Sequence, residues 1–239
     1  MSPVPTLVES HSSSSAWAPG QSVDCLHGEV FASSREGAGA GLALALALDR
    51  LAAQATAPGA DWPDERRWLW VQDRQAMRRT GLPYRPGLPP PLRHRLIHVA
   101  AEKPEDAPFA LERGVRCRDF AFVPGEAAGN PRALDFTASR RLSLAAQRHG
   151  VPLWLVRIDA ARDLSSARMR WQARAAPSPR PRWDGHAPGK ASWRAELFRA
   201  RNHPPGEWTL CDDASGLAIL APHPVDLAAR PAGGSLAAG

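Results

Sequence analysis

Lysine is nearly missing from this chain: among 30 Lys and Arg residues, only Lys103 and Lys190 are lysine. The positive charge is therefore arginine, which stays protonated and forks onto phosphates and carboxylates. Drift in coding composition also produces such a bias. Cysteine is scarce too. Cys25, Cys117 and Cys211 are far apart and odd in number, which excludes a disulfide framework and a zinc knuckle and points to a reducing setting. Long apolar runs are absent: the longest, around residues 37–48, falls short of the roughly 20 residues that span a bilayer. The first 17 residues lack the basic start and apolar run of a secretion signal. A soluble, cytoplasmic protein without membrane association is expected. No G-x-S-x-G elbow and no cysteine with an evident histidine partner is present, so no acyl-transfer site is expected.

What is present is ordinary for a globular chain of 239 residues, with 44% hydrophobic and 23% charged residues. The net charge of +6 and pI of about 10.2 permit nucleic-acid contact without requiring it.

The organising stretch is residues 28–51. It reads as a strand (residues 29–32), a glycine-bearing loop (33–41) and an Ala/Leu helix from Leu42. Strand, glycine loop and helix in that order make a phosphate-binding layout, because free backbone N–H groups at a helix start favour anions. A working P-loop needs G-x-x-x-x-G-K-[ST]. Here Gly41 follows Gly37 by four residues, one short of that spacing, and Leu42 and Ala43 stand where Lys and Ser/Thr belong. Gly37, Gly39 and Gly41 are read as a vestigial loop, with no cofactor expected. Arg35 precedes the glycines, which limits its reach as a substitute for the lysine.

Along the chain, residues 1–24 read as a disordered Ser/Pro-rich segment, 25–221 as one domain and 222–239 as a flexible tail. Short apolar runs at 68–71, 96–100, 120–123 and 153–158 are expected as strands. The segments between them read as a helix or irregular turn around 74–80, a helix from Pro104 to Gly114 and a helix opening at Asp135 or Thr137 and closing at Gly150. Such alternation points to a parallel sheet covered by helices. Residues 165–176 then alternate, with Ala167, Met169, Trp171 and Ala173 on one face and Arg168, Arg170, Gln172 and Arg174 on the other, as in a half-exposed strand. Residues 193–201 and 207–211 read as two more strands joined by a turn.

Taken together, GEVFA with its glycine loop, WLWVQD, LIHV, FAFV, RRLSLAAQRHGVPLWLVR, RMRWQARAAPSP and WRAELFRARNHPPGEWTL resemble a RecA-like core. More narrowly they resemble the ImuA family of SOS-mutagenesis proteins over about residues 26–212. The resemblance implies an α/β, RecA-like three-layer αβα fold with a mainly parallel central sheet and C-terminal antiparallel strands. It also implies an accessory role in damage-induced, error-prone translesion DNA synthesis. The partners implied are an ImuB-like protein and an error-prone DNA polymerase, with RecA and DNA as further candidates.

A second nucleotide motif would be an Asp closing an apolar strand. FAFV is followed instead by Pro124 and Gly125; Asp119 precedes it, and Glu126 reads as a solvated loop acid. Two defective motifs argue against catalysis. GHAPGKAS at 185–192 has the same one-residue deficit and Ala191 in place of Ser/Thr. Arg168, Arg170 and Arg174 on the alternating strand, with Arg180, Arg182 and Lys190 in the Pro-rich loop, are the candidate contacts for nucleic acid or a partner. Arg140, Arg141 and Arg148 add a second basic face. DNA phosphates, an acidic partner and plain solvent all remain open for these groups. His94 and His98, with no acid beside them, read as packing or surface histidines rather than metal ligands. Two other readings stand beside the adaptor: a SulA-like, protein-binding inhibitor of cell division, and a weak NTPase with a remodelled site.

Overall fold

The computed structural model describes residues 15–222 apart from 23, 57–63, 180, 182–183, 185 and 214–215. Nine strands form one sheet in the order β3-β2-β4-β5-β1-β6-β7-β8-β9. Strands β1 (His27–Ala32), β2 (Trp68–Asp73), β3 (Leu96–Ala101), β4 (Val123–Ala128) and β5 (Leu153–Ile158) are mutually parallel, and β6 (Met169–Ala175) joins β1 in the same sense. Strands β7 (Ser192–Ala200), β8 (Gly206–Asp213) and β9 (Gly216–Pro222) extend the sheet antiparallel. Helices α1 (Ala38–Ala55), α2 (Arg74–Thr80) and α3 (Pro90–Arg93) share one face with a tryptophan-rich core. Helices α4 (Asp106–Arg116) and α5 (Phe136–His149) cover the other face, over the parallel strands. This is the RecA-like αβα arrangement. No described helix is long and apolar enough to cross a membrane.

Local chemistry explains the boundaries. Asp135 caps α5 by accepting from the Ala138 N–H at 2.8 Å, and Gly150 ends the helix at φ 73°. Asp73 closes β2, caps α2 through the Ala76 N–H at 2.6 Å and accepts from the Ala128 N–H at 3.0 Å, so one carboxylate ties the ends of β2 and β4.

Helix α1 and strand β4 depart most from the expected boundaries. Helix α1 begins at Ala38, so Gly39 and Gly41 are helical and the loop shrinks to residues 33–37. Glycine is needed at 39 for close approach: a Cβ there would sit 2.7 Å from Ala32 Cβ and 2.8 Å from Val156 Cγ1. The strand expected at 120–123 runs instead from Val123 to Ala128, placing Pro124 and Gly125 inside the sheet. Val123 N–H donates to Pro152 O, so by alternation Pro124 turns its missing donor toward β2. There the β2–β4 ladder pairs only Val71 with Gly125 and Gln72 with Glu126, beginning just past the proline.

Order also reaches further toward the N-terminus than residue 25. Trp17 is 1% exposed, lies edge-on to Trp171 and Trp208 and donates from Nε1 to Ser22 Oγ at 3.1 Å. It seals the face of β6 and β8 that α1 does not fill. Trp17→Ala is expected to cost about 3–5 kcal/mol, the range for emptying a buried aromatic site, read as a lower urea midpoint with an unchanged slope.

Candidate functional site

In open parallel sheets ligands gather at the carboxyl ends of the strands. Here that edge carries the 33–37 loop, Asp73, Gly129–Asn130 and Asp159. Three of the loop's backbone donors are already engaged. Ser34 N–H donates to Asp159 Oδ1 at 2.9 Å, Arg35 N–H to Ser33 Oγ at 3.2 Å, and Glu36 N–H to Ser33 O at 3.2 Å. Asp159 is held in the left-handed region at φ 50° and pairs with Arg79 at 2.7 Å. The bonds from Ser34 and the Arg79 guanidinium hold its carboxyl below the usual range. A carboxylate of the chain thus takes one of the loop's backbone donors, as a bound anion would. Arg35 points outward, exposed. The neighbouring cleft, over the ends of β2, β3 and β4, alternates sign, with Arg74, Arg78, Lys103 and Arg132 against Asp73, Glu102 and Glu105.

Glu126 is a strand residue, 3% exposed, and not a solvated loop acid. Trp70 Nε1 donates to its Oε1 at 2.8 Å and Thr80 Oγ1 to its Oε2 at 3.0 Å. Burial pushes its carboxyl up, partly offset by hydrogen bonds from Thr80, Gln72 and Trp70. His98 bonds to Gln72 Oε1 at 2.8 Å, which agrees with the packing reading of that histidine. No group of three or more His, Cys, Asp or Glu able to hold a metal ion occurs among the described residues.

The arginines expected on one exposed face separate. Arg170 is 3% exposed and donates from Nε to Glu29 Oε2 at 2.7 Å, so it is a core residue and not a surface contact. The expected alternation assumed an open face, whereas Glu29 on β1 lies directly beside it in register. Arg174 is exposed, Arg168 is half-buried, and Lys190 is tied to Asp213. Arg180 and Arg182 lie outside the described residues.

Around Glu29 sits a buried charge cluster that sequence reasoning missed. Arg157 approaches Glu29 Oε1 at 3.7 Å, Asp163 accepts from Arg157 at 3.3 Å, and Ser165 donates to Glu29 Oε1 at 2.7 Å. The available signal was a charge at an inward position in each of two apolar strands, GEVFA and LWLVRI. Beside it, His27 Nδ1 lies 2.6 Å from Ser143 Oγ, and Ser143 donates to Ser166 O at 3.2 Å. The Ser143 oxygen therefore accepts from Nδ1–H, which leaves neutral His27 with a buried, unpartnered Nε2. Burial pushes the ring down to about 4; Glu29 raises it, while Arg170 and Arg157 lower it further.

No protein-family model matches the chain, and no curated protein matches it.

Two outcomes follow from the cluster. Arg170→Met leaves Glu29 facing only the more distant Arg157 and is expected to cost about 3–5 kcal/mol, as breaking a buried pair does. Arg174→Ala, on the exposed end of the same strand, is expected to stay within about 0.5 kcal/mol. For His27 the folded value lies below the ordinary 6.5, so its contribution is complete above 6.5 and is lost as pH falls toward about 4. Urea midpoints at pH 7.5 and 4.5 should differ less for His27→Gln than for the unaltered chain.

Proposed function

We propose that this chain is a non-catalytic, RecA-like accessory protein of damage-induced translesion DNA synthesis. In this reading it acts as an adaptor beside an ImuB-like protein and an error-prone DNA polymerase. The observation that carries the reading is the pairing of a RecA-like sheet order with a five-residue nucleotide-type loop whose Ser34 N–H is held by Asp159. A loop of 33–37 has no lysine and no hydroxyl at the helix start to replace the P-loop parts that hold terminal phosphates and Mg²⁺. The step from fold to adaptor rests on family-level resemblance and not on a shared site.

The chemistry of the carboxyl edge agrees with it. A nucleotide would have to displace Asp159 from Ser34 and overcome its charge, with Arg79 already neutralised by the same carboxylate. An adaptor needs the fold and its surfaces but no turnover.

Affinity-tagged full-length chain, mixed with purified ImuB-like protein and error-prone polymerase, is expected to retain the ImuB-like protein through washing. Retention of neither partner would overturn the reading. ATP turnover by the purified chain that disappears in Arg35→Ala would overturn its non-catalytic part.

A further inference from the structure

One groove on this molecule collects arginines that the fold itself does not use. It lies between α5 and the strands β6 and β7, at the amino end of the parallel strands and so at the end of the sheet opposite the 33–37 loop. Arg140, Arg168, Arg199 and Arg201 line it, together with Gln147 and Ser166, and no carboxylate does. Arg140, Arg199 and Arg201 are exposed, and none of the four arginines makes an ion pair with a described residue. Several exposed arginines elsewhere are paired. Arg66, Arg79, Arg116, Arg141, Arg162 and Arg194 are each tied to a carboxylate.

The groove is built by a specific irregularity. On β7, Trp193, Ala195 and Leu197 point into the α1-side core, so strict alternation would send residues 199 and 201 the same way. The pairing slips by one residue: Trp171 faces Leu197, but Arg170 faces Arg199. Phe198 is the extra residue of a β-bulge, and the slip reverses the parity of everything after it. Arg199 thereby joins Arg170 on the α5 side, and Arg201 N–H donates to Arg168 O at 3.2 Å, which carries Arg201 along. Arg168 is itself positioned: with its amide in the orientation that satisfies both groups, Gln147 accepts from Arg168 Nε and Nη2, each at 3.3 Å. Arg140 comes from α5, whose rotation is fixed by the Asp135 cap.

We propose that this groove binds the phosphate backbone of a nucleic-acid strand. Four guanidinium groups beside a serine hydroxyl and an amide suit repeated phosphate oxygens, which arginine holds by paired hydrogen bonds. Leu144 is the one large apolar side chain lining it, and no aromatic ring is present for base stacking. Recognition is therefore of charge and spacing and is independent of sequence. An acidic peptide is the poorer occupant, because stable peptide docking needs a desolvated apolar pocket and this groove supplies a single leucine. The proposal does not depend on the adaptor reading.

The test uses the full chain alone, with a fluorescent 30-nucleotide oligothymidylate followed by anisotropy across a salt series. Four phosphate contacts on a single strand predict a slope of log affinity against log salt of about −3. Arg140→Ala/Arg199→Ala/Arg201→Ala changes only exposed side chains, so its circular dichroism and urea midpoint should match the unaltered chain. Its slope should be shallower by about 2, with affinity down at least about tenfold at low salt. Arg74→Ala/Arg78→Ala/Arg132→Ala, in the cleft of mixed charge, should bind as the unaltered chain does. Equal binding by the first triple variant would overturn the proposal. So would a polyglutamate peptide of matched charge that binds as tightly as the oligonucleotide.

Discussion

One carboxylate constrains the whole sheet. Glu29 sits on the central strand β1 with 1% exposure, where a lone charge would be costly by several kcal/mol. It is tenable because Arg170 reaches it at 2.7 Å from β6, Arg157 approaches at 3.7 Å from β5, and Asp163 balances the second guanidinium. Three neighbouring strands must therefore keep their register together. A slip of one residue in β1 would turn Glu29 into the tryptophan core on the α1 side and leave two arginines sharing Asp163 alone. The same contact joins the parallel half of the sheet to its antiparallel extension, since β6 is the strand on which the two meet. Phe31 and Phe198 pack against the guanidinium faces of this cluster, which shields it from water on its open side.

That constraint propagates to both ends of the sheet. At the carboxyl end, the register of β1 with β5 sets Ala32 beside Ile158, so the next residue, Asp159, is delivered directly to the 33–37 loop. Its N–H donates to Ala32 O at 2.9 Å and its carboxylate turns back to Ser34. At the amino end, the register of β6 with β1 places Arg168 at the mouth of the strand, where its N–H donates to His27 O at 2.8 Å. The bulge on β7 then adds Arg199 and Arg201 to the same side. One end of the sheet closes on itself and the other collects unpaired charge.

Much of the frame was legible because it rests on local chemistry. Asp135 and Gly150 bracket α5 by capping rules that need no tertiary information, and LWLVRI reads as a strand from its apolar run alone. The errors share a physical cause. Pro124 and Gly125 read as loop residues, yet Pro124 sits just ahead of the point where the β2–β4 ladder begins, at Gly125. Gly39 and Gly41 read as loop residues, although a helix pressed against Ala32 and Val156 needs glycine at 39 as much as a turn does. Trp17 was lost in a Ser/Pro-rich context whose composition says nothing of one anchoring side chain. Of the groove arginines, Arg140 and Arg168 were visible as basic positions. Arg199 and Arg201 were not, because a bulge reverses the parity on which any reading of strand faces depends. Arg170 failed for the complementary reason: its partner Glu29 lies 141 positions away in sequence.

The contrast between the two ends bears on where function resides. At the carboxyl edge, opposite charges alternate around the cleft, and the Ser34 N–H of the loop is held by a carboxylate of the same chain. Binding an anion there requires breaking existing hydrogen bonds, so the net gain is small. In the α5–β6–β7 groove the guanidinium groups have no carboxylate to leave, and an incoming phosphate adds interactions without replacing any ion pair. Desolvating exposed arginines costs little compared with buried ones, and release of counterions favours the bound state. A fold that in its usual form concentrates chemistry at the carboxyl ends of its strands has, in this chain, its available electrostatic attraction at the opposite end.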